Sequence, residues 1–196
     1  MPLAKVPHVR EYVRLLRQNL PDEKVQHCVF VAEYLSSFAP SLGLSHDDAA
    51  VAGLLHDLCR AMPPADLLAQ AEEYGIPILP YHEQKPILLH GPVAAEKVKR
   101  DLGIDNPDIY EAIYWHTTGK AGYVLLGQAL YFADFAEPGR HYPEAASARE
   151  MLRTHSFPKA LCYAADVKVN YFKRAPALDP HGKEFYAWLK EIYPNP

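Results

Sequence analysis

Eighteen prolines in 196 residues limit how far any regular element of this chain can run. Proline fixes φ and lacks an N–H, so it is tolerated in the first turn of a helix, breaks a helix interior and is excluded from central strands. Between these prolines the apolar residues fall at helical spacing. Val31, Tyr34, Leu35 and Phe38 share one face, as do Val51, Leu54, Leu55 and Leu58. Nothing alternates in the manner of strands joined by hairpin turns. The spacing predicts an all-α fold, with helices near 5–19, 22–39, 45–60, 64–74, 91–102, 107–117, 122–137, 143–153, 158–174 and 181–192.

The boundaries have chemistry of their own. Asn106-Pro107 reads as an N-cap followed by the first helical residue, and Ser45 with Asp48 resembles a capping box. Gly43, Gly75 and Gly103 each follow an apolar-periodic stretch and suit a left-handed closing residue. The longest irregular piece, Gly75 to Leu89, is too apolar for a free linker and is expected to border an active-site mouth.

The length suits one domain, with a core over about 22–175 and a C-terminal helix over about 181–192. A net charge of -4 argues against a nucleic-acid-binding surface. Cys28, Cys59 and Cys162 are an odd, widely spaced set, which suits reduced thiols in a cytoplasm. The N-terminus has no continuous hydrophobic run of the kind a signal peptide needs. The most apolar stretch, Ala121 to Ala136, is interrupted by Gln128 and Asp134 and falls short of the ~18 to 20 residues of a membrane span, so no membrane partner is expected.

Within that apolar frame sit two acids that need explaining. Asp57 ends the segment AVAGLLHDL and Asp134 lies in LYFADFAE, where burial of an unpaired carboxylate would cost several kcal/mol. Four histidines occupy similar contexts: His27, His56, His90 and His116. Taken singly, each is most simply a core or surface histidine. Taken jointly, imidazoles and carboxylates are ligands for divalent metals. Asp57 and Asp134 with His27 and His56 would neutralise one ion, and Asp57 could bridge to a second held by His90 and His116.

The stretches VAGLLHDLCR, LLHGPVAAEKV, YWHTTGKAG and YFADFAEPGR, in that order, resemble the HD-domain superfamily of metal-dependent phosphohydrolases. More closely they resemble its YqeK family of symmetrical diadenosine tetraphosphate (Ap4A) hydrolases, over about residues 22 to 175. The resemblance implies a helical HD-domain bundle and metal ligands at His27, His56, Asp57, His90, His116 and Asp134. It further implies cleavage of Ap4A to two ADP by a metal-bound hydroxide, with His56 and Asp57 central to catalysis. It favours a di-iron centre, and manganese, cobalt, nickel and zinc also suit such ligands. Arg60, Thr117, Thr118, Gly119, Lys120 and Arg140 adjoin the ligand motifs and are candidates for contacting the nucleotide. Arg60 stands where lysine is frequent in the family, and Lys120 where arginine is. Glu137 could orient a ligand or Arg140. Other readings are an HD phosphohydrolase acting on ppGpp, a dNTP or a nucleoside monophosphate, a nucleotide sensor without turnover, and a metal-free scaffold. The Tyr- and Pro-rich loops could form a homodimer contact, which nothing in the pattern requires.

Overall fold

A helix that is apolar around its whole circumference must be enclosed by other helices. Helix α8 (Leu125–Ala136) is such a helix, with ten of its residues buried, Phe132 and Ala133 among them. Around it pack α2 (Asp22–Phe38), α3 (His46–Leu55), α7 (Pro107–Trp115), α9 (Pro143–Thr154) and α10 (Phe157–Phe172). Rings of Phe38, Phe132 and Phe157 meet edge-on or tilted where α2, α8 and α10 converge. The outer elements are α1 (Val9–Asn19), α4 (Pro64–Tyr74), α5 (Pro80–Gln84), α6 (His90–Leu102) and α11 (Pro180–Ile192). This computed structural model describes residues 3–172, 180–194 and 196, and among them no strand occurs. The end expected at 173–174 for the helix observed as α10 and the core boundary near 175 lie outside the described residues.

The punctuation acts as its chemistry requires. Ser45 Oγ accepts the Asp48 N–H at 3.2 Å, and Asn106 Oδ1 accepts the N–H groups of Asp108 and Ile109. Gly43, Gly75 and Gly103 each close a helical segment in the left-handed region. Several boundaries differ from expectation, the first helix beginning at Val9 rather than near 5 and α8 at Leu125 rather than 122. The third helix stops at Leu55 rather than near 60, because residues 56–61 turn through i to i+3 bonds such as Arg60 N–H to Asp57 O. The segment from Gly75 to Leu89 is not wholly irregular. Prolines that preset φ open both α5 and a 3-10 turn over Pro86–Leu89. Cys28, Cys59 and Cys162 are free thiols, the first two buried. Among the described residues no helix is long and apolar enough to cross a membrane.

Candidate metal centre

Two close helix approaches bring the ligand-type residues together. A Cβ on Gly53 would stand 2.6 Å from Ala32 Cα, so α3 lies directly against α2. That contact sets His56, the C-cap of α3, beside His27 in α2, with ring centroids 5.5 Å apart. A Cβ on Gly91 would stand 2.9 Å from Tyr114 O, 3.1 Å from Ile113 O and 3.2 Å from His116 Cε1. The second approach sets His90, at the start of α6, beside His116, the C-cap of α7. The glycines of AGLLHD and HGP are thus small because backbones touch there.

The imidazoles are aimed by their outer nitrogens. Nδ1 of His56 donates to Gly53 O at 2.8 Å, that of His116 to Ile113 O at 2.8 Å, and that of His90 to Ile87 O. His27 Nδ1 donates to the buried Glu137 carboxylate at 3.1 Å. Each bond leaves Nε2 facing inward with its lone pair available, the arrangement expected of metal-binding histidines. His56 Nε2 is fully buried and finds no hydrogen-bond partner. A buried acceptor left so is costly unless something else satisfies it.

The carboxylates complete the centre. Asp57 Oδ2 lies 3.8 Å from His56 Nε2, and its Oδ1 lies 3.0 Å from His90 Nε2 and 3.4 Å from His116 Nε2. Asp134 Oδ1 lies 3.1 Å from His27 Nε2 and 4.0 Å from His56 Nε2. Two groups result, His27–His56–Asp57 and Asp57–His90–His116, each with ligand atoms within 4.8 Å of one another. Asp57 belongs to both, one oxygen turned to each. The donor set therefore fits two divalent ions sharing a carboxylate.

Protonation agrees with that fit at Asp57, Asp134 and His56, while His27 would have to give up a proton to bind an ion. Burial would raise Asp57, but His56, His116 and His90 hold it well below the usual carboxylate range. Asp134 is likewise lowered against burial, by the hydrogen bond to His27 and by Lys168. Burial lowers His56 to about 4, so this imidazole is neutral near pH 7. Burial acts against the charged form of His27, but its bonds to Asp134 and Glu137 prevail and bring it to about 9.

A cavity of about 400 Å³, within the range of small-molecule sites, is lined by Asp57, His90, His116 and Asp134 of this centre. Of the residues expected to contact a nucleotide, Arg60, Thr117, Thr118 and Arg140 line it. Thr117 Oγ1 is 3.2 Å from His116 Nε2. Arg140 Nη2 is 3.0 Å from Asp134 Oδ1 and 3.3 Å from His27 Nε2. The other two, Gly119 and Lys120, are not among the residues that line the cavity. Gly119, at φ 68, closes the turn after α7 with its N–H on Trp115 O and packs against Phe185. That left-handed turn carries Lys120 away from the cavity to pair with Glu111 at 3.2 Å.

Further residues shape the cavity and its supports, some within the proline-rich segment and at Glu137, where the sequence pointed, and others, such as Lys24, Lys168 and Arg149, where it did not. Lys24, Lys85, Lys168 and Lys183 add positive charge to the cavity wall, and Lys85, Ile87 and Leu88 carry the proline-rich segment to its edge. Arg149 Nη1 donates to the carbonyls of Ala136, Glu137 and Arg140, which holds the EPGR turn in place. Glu137, within that turn, accepts from both His27 and the Gly139 N–H and lies 3.6 Å from Arg140 Nε.

Residues 25–162 match the HD domain family. This chain belongs to that family. The chain is 27% identical over 181 residues to the symmetrical bis(5'-nucleosyl)-tetraphosphatase of Bacillus subtilis, covering 91% of this chain and 96% of that protein. A Staphylococcus aureus protein of the same name is 29% identical over 146 residues, 74% of each chain. A solved structure from Clostridium acetobutylicum, described as a predicted HD superfamily hydrolase involved in NAD metabolism, superposes with a TM-score of 0.88. It is 25% identical, and the match covers 93% of this chain and 97% of that one.

Proposed function

We propose that this HD domain hydrolyses diadenosine tetraphosphate symmetrically, to two ADP, at a centre of two divalent cations. The observation that carries the reading is Asp57, whose two oxygens are divided between two imidazole groups inside one cationic cavity. His27, His56, Asp57 and Asp134 would hold one ion, and Asp57, His90 and His116 the other. Ions bound there supply Lewis acidity, which activates water near neutral pH and neutralises phosphoryl charge.

The chain's own residues bind and orient. Six cations line the cavity against two carboxylates, in a chain whose net charge is -4. Such an excess recognises a polyanion. Arg140 reaches Asp134 from the cavity wall and can offer its remaining donors to phosphate oxygens, while Arg60 approaches from the turn after Asp57. The Thr117 hydroxyl, which lies beside His116 and His90, would bond a phosphoryl oxygen near that pair. Glu137 and the Arg149-braced turn keep His27 and Arg140 in register. Iron is the favoured metal, on the family resemblance, and a reducing cytoplasm suits both iron(II) and the free thiols.

The test is hydrolysis of Ap4A by anaerobically prepared protein with Fe²⁺, Mn²⁺ or Co²⁺, with and without EDTA, products separated by chromatography. ADP as the sole product, lost with EDTA, is the expected result. ATP plus AMP would refute the symmetric register. NAD is the counter-substrate: its bridge has half the phosphates of Ap4A, so faster cleavage of NAD would overturn the substrate assignment.

A further inference from the structure

Most cations around the cavity project from helix starts or turns, where solvent screens them. Lys168 differs. It lies within α10, half-buried, and lines the same cavity as Asp57, Asp134, His90 and His116. Its ammonium stands 3.7 Å from the centroid of the Tyr131 ring, itself buried one turn before Asp134. A cation over an aromatic face is held in position while its N–H donors stay free to point elsewhere. Among the described residues no hydrogen bond or ion pair engages that ammonium. Asp134 Oδ1 is instead met by Arg140 and His27. Burial lowers the Lys168 ammonium to about 8, with Asp134 and Asp57 opposing that fall, so it is largely charged at neutral pH.

We propose that Lys168 is a catalytic residue that grips a non-bridging oxygen of the phosphate chain beside the metal centre, with Tyr131 as its aromatic seat. This rests on the polyphosphate reading above. A charged hydrogen bond in such a place is worth about 10- to 100-fold in affinity. A lysine serving only as counter-charge to Asp134 would be needed for metal binding rather than for phosphate binding.

The experiment uses Lys168→Met, which keeps length and loses charge, and Lys168→Arg. Pyrophosphate and ADP are titrated calorimetrically into Mn²⁺-loaded protein, with adenosine as the phosphate-free control, and metal content is measured in parallel. Lys168→Met is expected to bind both phosphates about 10- to 100-fold more weakly, with adenosine binding and metal content unchanged and partial recovery in Lys168→Arg. Pyrophosphate and ADP affinities within twofold of the parent would overturn the proposal, as would a loss that follows loss of metal. If the parent binds pyrophosphate through Lys168 yet leaves Ap4A intact, the substrate reading falls and this role stands. If the parent binds no phosphate at all, both fall.

Discussion

Alanine at Gly91 should impair one half of the metal centre and spare the other. The new Cβ would stand 2.9 Å from Tyr114 O, 3.1 Å from Ile113 O and 3.2 Å from His116 Cε1. Reaching ordinary contact near 3.4 Å requires α6 and α7 to part by about 0.5 Å. The helices cannot part freely, because Tyr110 Oη donates to Glu96 Oε1 at 2.7 Å across the same interface. Overpacking of this kind costs about 1–3 kcal/mol, and removing a glycine from the unfolded chain returns about 0.4–1. The net, about 0–2.6 kcal/mol, corresponds to a fall in Tm of up to several degrees at this chain length. The site feels more. About 0.5 Å is the whole tolerance of a preorganised constellation, and the crowded Ile113 carbonyl is the one that orients His116. Metal affinity at the His90–His116 pair should drop about 10- to 100-fold, as when an orienting partner is lost. The assay is metal stoichiometry by elemental analysis across a titration, with thermal unfolding alongside. Gly103→Ala is the control: its φ of 65 imposes strain, but nothing lies within 4 Å of its Cβ. It should lower Tm and leave two ions bound. Two tightly bound ions and parental turnover in Gly91→Ala would refute the close-approach argument.

Three further outcomes follow from the same geometry. Asp57→Ala removes the carboxylate common to both groups, so turnover should vanish and both ions weaken by more than about 100-fold, checked by dialysis and elemental analysis; retention of either ion would misplace the bridge. Glu137→Gln keeps the shape but loses the anion that orients His27, and should cost about 10- to 100-fold in metal affinity with helical circular dichroism unchanged. Lys120→Ala should leave kcat/KM within about twofold, since its ammonium is spent on Glu111 at a partly exposed pair worth about 0–1 kcal/mol; a large rise in KM would return Lys120 to the substrate.

Much of the helical order was legible because its causes are local. Pro107 after Asn106, Ser45 before Asp48 and Gly103 after an apolar run each act within one turn of the chain. Boundaries failed where a site competes with the helix. The stretch after Leu55 passes from the helix into i to i+3 turns where His56 and Asp57 reach the centre.

The six ligand-type residues that the structure brings together stood out in the sequence because acids and imidazoles inside apolar helices need a reason to be there. The cavity's lysines carried no such signal. A lysine on a helix surface ordinarily points into water, and nothing local separates Lys168 from Lys159. Lys120 shows the converse. Four residues from His116 in sequence, it follows the Gly119 turn and pairs with Glu111 rather than lining the cavity. The sequence by itself determined most of the helical segments, many of their ends and which residues have ligand chemistry, since these depend on neighbours one turn away. Which cations face the phosphate path depended on how α2, α6, α7, α8 and α10 pack. That packing is a sum of long-range contacts such as Gly53 on Ala32 and Gly91 on Tyr114, and only the tertiary structure decides it.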